Sequence, residues 1–161
     1  MPARTWVLDT WLFGVVADGQ RPEALPDQRR RARAAISLLH QIEEHEHCVA
    51  VDFKGEISAE YSRYIPARSL VQDWWVSMQQ LAGRIYLETG DLAGQHAAQL
   101  RNRFRFHDDD VKFVGVASRT ADRLLVSEDS DYTVEVKEYL KEELGITVLS
   151  LEEALELVRD P

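Results

Sequence analysis

Two hydrophobic rhythms alternate along the chain. Residues 5–8, 47–51, 124–126 and 146–149 form short, almost wholly apolar runs rich in β-branched and aromatic side chains, the pattern of strands buried on both faces. Between them apolar residues recur every three or four positions. From Gln28 they fall at Ala32, Ala35, Ile36, Leu39 and Ile42, with arginines and glutamates on the other face, which predicts a long amphipathic helix. Lys54 and Gly55 turn the chain into a helix beginning near Glu56. Pro66 ends that pattern, and a new one runs from Arg68 through Leu70, Val71, Trp74, Trp75, Met78 and Leu81. Residues 85–87 are apolar but too short to assign, and Asp91 is expected to cap a helix carrying Leu92, Leu100 and Phe104. Asp110 opens VKFVGVA, a helix whose Gly115 and Ala117 suit close packing on a sheet. A helix over Val134–Leu144 ends at Gly145, and Ser150 with Glu153 reads as a capping box for the last helix. The stretch 17–27, punctuated by Gly19, Pro22 and Pro26, reads as flexible.

Strands alternating with helices predict an α/β fold: a three-layer α/β/α domain on a parallel sheet of about five strands. Its 161 residues suffice for one domain, with 66–104 a helical elaboration. No run approaches the roughly 20 apolar residues of a spanning helix, and the first residues do not read as a signal peptide, so no membrane partner is expected. The net charge of −9 argues against a protein that holds nucleic acid by overall charge. Residues 128–161 carry eleven acids against three bases, so the acidity is mostly C-terminal. Two basic runs remain, RRRAR from Arg29 and RNRFR from Arg101, read first as solvated helix faces; Arg103 and Arg105 are the better candidates for touching phosphate. One cysteine, Cys48, excludes an internal disulfide, fits a reducing cytoplasm, and makes a soft-metal site with His45 and His47 a remote reading, Cys48 being expected in the core. Adjacent Trp74 and Trp75 should not both face one core, so one is expected at a homodimer or partner surface.

In parallel sheets functional groups gather at the carboxyl ends of the strands, and the acids follow that rule. Asp9 ends the first strand, Glu60 lies one turn into the helix after the second, Asp110 opens the apolar helix, and Asp129 and Asp131 follow the run LLV. Carboxylates so gathered raise one another's pKa unless a cation compensates, and Mg²⁺ or Mn²⁺, hard cations that favour oxygen ligands, are the natural compensators. Each acid also has a plain structural alternative, Asp9 and Asp110 as helix caps and Glu60 as a solvated helix residue. Glu56, on the same helical face, competes with Glu60.

At Val7, Leu8, Asp9 and Thr10, at Ile57, Glu60 and Tyr61, at Asp110 with Ala117, and at Val126, Ser127, Asp129, Asp131 and Tyr132, the chain resembles the PIN-domain nucleases, a family that includes toxin ribonucleases of bacterial toxin–antitoxin pairs. The closing segment GITVLSLEEAL is similar to the family's last strand and helix. The resemblance implies that Asp9, Glu60, Asp110 and Asp129 bind Mg²⁺ or Mn²⁺ and activate water against an RNA phosphodiester. Asp131 would be an accessory acid, Ser127 a hydroxyl that orients a carboxylate, and an antitoxin or other protein a partner. Trp11 stands where many members carry Asn, so a polar contact there is supplied elsewhere or lost. The alternative is a catalytically silent PIN-like module that binds RNA or protein. A phosphatase of the haloacid dehalogenase type would want a second Asp where Trp11 stands, and a receiver domain would want an acidic pair and a late lysine.

Overall fold

The computed structural model describes residues 2–160. Five strands form one parallel sheet in the order β3-β2-β1-β4-β5: β1 (Thr5–Leu8), β2 (Cys48–Asp52), β3 (Ile85–Glu88), β4 (Leu124–Val126) and β5 (Thr147–Leu149). The helices are α1 (Trp11–Gln20), α2 (Pro26–Glu44), α3 (Glu56–Tyr64), α4 (Leu70–Gln80), α5 (Gly94–Asn102), α6 (Val111–Arg119), α7 (Val134–Leu144) and α8 (Leu151–Arg159), with one 3-10 turn at Asp108–Asp110. The chain adds strands outward from β1 to β3, then returns to the other side of β1 for β4 and β5. Right-handed crossovers then place α1 to α4 on one face and α5 to α7 on the other, and α8 returns to pack on α2. The result is the expected three-layer α/β/α arrangement. No helix among the described residues is long and apolar enough to cross a membrane.

Several expected details change. Residues 17–27 are not a flexible stretch: the first four complete α1, Pro26 and Asp27 open α2, and only residues 21–25 lie between. Arg29 holds that loop by donating to the carbonyls of Ala24 (3.1 Å) and Pro22 (3.0 Å). Residues 85–87 fall in strand β3. Asp91 caps nothing. Helix α5 starts at Gly94 behind Ala93, and Asp91 instead pairs with Lys54 at 3.2 Å. Trp74 and Trp75 are both buried, which removes the argument for a partner surface there. Trp75 meets the edge of Tyr61 (centroids 5.0 Å) while Trp74 faces Phe13 (6.4 Å), so the aromatic cluster of α1, α3 and α4 wraps around two sides of α4. Cys48 is half-buried rather than core, its thiol donating to the Gly83 carbonyl. The capping box at Ser150 and Glu153 is present, as the spacing predicts.

Two glycines set the frame of the carboxyl edge. A Cβ on Gly115 would lie 2.1 Å from the Gly90 carbonyl oxygen, so only glycine lets α6 pass this close to the loop after β3. Gly55, at φ +77°, makes the left-handed turn that aims α3. The buried Asp52 carboxylate then accepts from the N–H groups of Glu56 (3.0 Å) and Ile57 (2.7 Å).

Candidate metal centre

Connections leave β1 toward one edge of the sheet and β4 toward the other, so a crevice opens where these neighbouring strands end. Asp9 directly follows β1, and Ser127, Asp129 and Asp131 follow β4. A cleft of about 390 Å³ lies here, and Asp9, Glu60, Asp110 and Asp129 all line it. Four chain segments more than a hundred residues apart in extent thus bring their acids to one place.

Asp9 is 3% exposed and tied on both oxygens. One accepts from the Ser127 hydroxyl (2.5 Å); the other accepts from the Thr10 hydroxyl and the Trp11 N–H, both at 3.3 Å. Ser127 in turn accepts from the Asp129 N–H at 3.1 Å, so one buried hydroxyl positions two of the acids. The Asp129 carboxylate accepts from the Asp131 N–H (3.0 Å), and Asp131 accepts from the His107 N–H (3.0 Å). Oxygens of Asp110, Asp129 and Asp131 lie within 4.8 Å of one another. Asp131, expected as an accessory, is therefore part of the tightest group, while Asp9 and Glu60 line the same cleft outside it.

The electrostatics follow the geometry. Burial raises the Asp9 carboxyl above its usual range, opposed by the Ser127 hydrogen bond. Asp110 is pushed up to about 7, first by burial and then by Asp9, Asp129 and Asp131. Near neutral pH the Asp110 carboxyl is thus partly protonated. Its donors are all carboxylate oxygens, a set that suits a hard divalent ion and not a thiophilic one. The Tyr132 hydroxyl, buried and without a hydrogen-bond partner, feels the same four acids, which together with burial raise its pKa well above the ordinary phenol value.

Glu60 behaves differently. One oxygen competes with Asp9 for the single Thr10 hydroxyl proton (3.2 Å) and the other meets the Lys112 ammonium at 2.7 Å, the Glu60 and Lys112 side chains being largely enclosed. Glu56 is absent from this cleft and lines the grooves beyond, so Glu60 is the acid of α3 placed beside Asp9. Lys112 escaped the sequence reading, and Thr10 entered it only as part of the resemblance, without a role of its own. Lys112 is the lone charge in the run VKFVGVA, two residues after Asp110, a signal that was available.

Asp110 stands at the N-cap of α6 but makes no capping hydrogen bond, which leaves its carboxylate for the cleft. Arg103 lies over the Phe104 ring (4.8 Å) and lines a different groove between α5 and α7; Arg105 is exposed, and neither lines the acid cleft. Within the other basic run, Arg30 pairs with Asp27 (2.6 Å), and Arg31 with Glu128 (2.9 Å) and Glu152 (3.5 Å). His47 is fully buried, with Nδ1 accepting from the Arg4 N–H (3.1 Å), and among the described residues no group of three metal-ligating side chains joins it to His45 and Cys48. Comparison of the chain with protein-family models, curated proteins and solved structures gives no match.

Proposed function

We propose that the chain is a divalent-metal-dependent nuclease acting on RNA phosphodiesters. The observation that carries this reading is the convergence of Asp9, Asp110, Asp129 and Asp131 at the reversal point of a parallel sheet, with the Asp110 carboxyl raised to about 7 and, among the described residues, no basic side chain at ion-pair distance from any of the four. Asp110, Asp129 and Asp131 would hold Mg²⁺ or Mn²⁺, with Asp9 fixed beside them by Ser127 and Thr10. When bound, such an ion supplies an activated water and neutralises charge on phosphoryl oxygens. The rest of the task falls to the chain. Ser127 and the backbone N–H groups hold the carboxylates before substrate arrives, so little reorganisation is needed. Lys112, poised on Glu60, places a cation in the groove beside the cleft, where a phosphate can compete for it. Trp11 and Tyr64 line the cleft, where Tyr64, half exposed, is the aromatic side chain open to an unpaired base, Trp11 already carrying the Arg31 guanidinium over its ring.

One observation favours a second reading, a silent RNA- or protein-binding module: the Glu60 carboxylate already has its cation in Lys112. Two measurements separate them. Calorimetric titration with Mn²⁺ should show binding that Asp110→Asn removes, and purified protein should cut single-stranded RNA in Mg²⁺ while Asp9→Asn and Asp129→Asn do not. Absent metal binding at millimolar Mn²⁺ favours the silent module; cleavage unchanged in both variants rejects the site.

A further inference from the structure

The two edges of the sheet are finished differently. At β5 the strand is three residues long, its residues are half-buried or buried, and the Lys141 ammonium reaches the Thr147 hydroxyl (2.9 Å). At β3 both faces leave apolar surface open: Ile85 packs on the core, but the successive residues Tyr86 and Leu87, which point to opposite faces, are 49% and 50% exposed. Leu81, just before the strand, and Phe53, whose N–H donates to the Glu88 carbonyl (2.9 Å), add exposed apolar surface at its two ends. An edge strand without Lys, Pro or a bulge is an open template for another strand.

The backbone register says which strand fits. The carbonyls of Arg84 and Glu88 accept from Val49 of β2 and from Phe53 just after it, so residues 84, 86 and 88 turn their polar groups inward and Ile85 and Leu87 turn theirs to the open edge. Antiparallel pairing of two β3 strands about a two-fold axis at Tyr86 joins Ile85 to Leu87 of the second copy through both outward N–H and C=O groups. On one face this sets Ile85 against Leu87, apolar on apolar. On the other it sets Tyr86 against Tyr86 at the close, non-hydrogen-bonded spacing of about 4.5 Å between Cα atoms, while Arg84, held by the Glu43 and His47 carbonyls, takes no part. Centring the axis on Leu87 would instead place Tyr86 against Glu88 and lose both matches. We infer that β3 is a self-association edge, through which two copies of this chain join their sheets antiparallel about Tyr86.

Strand pairing this short buries less than the roughly 800 Å² per partner of a standard interface, even with Leu81 and Phe53 at its ends, so the dimer should dissociate on dilution. Sedimentation velocity over a concentration series of the full chain tests this. Wild type is expected to shift from monomer to dimer at high micromolar concentration; a monomer throughout overturns the inference. Tyr86→Lys and Tyr86→Glu each place like charges face to face and should weaken association at least about tenfold, about 1.4 kcal/mol. Mixed in equal amounts, the two variants should associate again as a heterodimer, because opposite charges then meet on the axis. Leu87→Pro removes an outward N–H that β2 does not use and should also abolish the dimer, with circular dichroism unchanged. A dimer that survives these substitutions, or variants that fail to recombine on mixing, overturns the proposed edge or its axis.

Discussion

The two ends of the parallel strands treat charge in opposite ways. At the amino end the charged groups are held largely by backbone. Asp122 accepts from the Thr5 N–H (2.7 Å), Arg4 donates to the Leu157 carbonyl at the end of α8 (2.6 Å), and Arg123 to the Leu144 carbonyl at the end of α7 (2.9 Å). Arg84 donates to the carbonyls of Glu43 and His47 (3.2 and 3.1 Å), and burial lowers the His47 imidazole pKa below its usual value. Cations thus sit on helix C-termini, where the exposed carbonyls favour them. At the carboxyl end the carboxylates face one another, held by hydroxyls and N–H groups that orient them without cancelling their charge. One end is built for stability. The other keeps electrostatic energy in reserve, as sites that bind cations and substrates commonly do at some cost to the fold.

Substitutions at each end should therefore fail in different ways. The largest effect is expected for Asp129→Asn and Asp9→Asn: a loss of RNA cleavage greater than the roughly 10–100-fold typical of residues behind the ligands, with the fold kept, read by initial rates and circular dichroism. Ser127→Ala should fall within that 10–100-fold range, because it removes the anchor of Asp9 and the acceptor for the Asp129 N–H; a Thr replacement, which keeps the hydroxyl, should recover most of the rate.

Asp110→Asn should separate stability from function. Its folded-state pKa, about 7, lies above the ordinary 3.8, so its favourable contribution is complete below the usual carboxylate range, declines as pH rises toward 7 and is lost above. At pH 8 the variant should melt higher than wild type by roughly 2–4 °C, corresponding to about 1 kcal/mol after solvent screening, and the gap should close at pH 4. Millimolar Mn²⁺ should raise the wild-type melting temperature at pH 8 and leave the variant unmoved. The smallest effect belongs to the amino end. Arg4→Ala should cost about 1 kcal/mol by chemical denaturation, through the lost bond to the α8 terminus, and leave the cleavage rate per folded molecule unchanged. A loss of metal affinity in Arg4→Ala would break the division between the two ends.

Much of the architecture was legible because it depends on local pattern. The buried strands 5–8 and 124–126, the long helix of residues 32–42 and the Ser150 cap each announce themselves within a dozen residues. The failures share a cause. Asp91 had the right residue type for a cap, yet its carboxylate found Lys54, thirty-seven positions away in the chain. Trp74 and Trp75 could not share a flat core by helical geometry alone, but α4 is wrapped from two sides by α1 and α3. The stretch 17–27 reads as loop because the restraint supplied by Arg29 cannot be inferred from its own residues.

The site divides in the same way. Which acids terminate strands follows from the order of residues, since a parallel sheet sends every strand end to one edge. How close they come does not. That Asp131 joins Asp110 and Asp129, that Glu60 is claimed by Lys112, and that Ser127 bridges Asp9 to Asp129 were decided by α6 and the loop after β4 meeting over the sheet. Periodicity is a property of neighbours along the chain and survives in the sequence, whereas ångström-scale separations between segments a hundred residues apart exist only once the packing that sets them has formed.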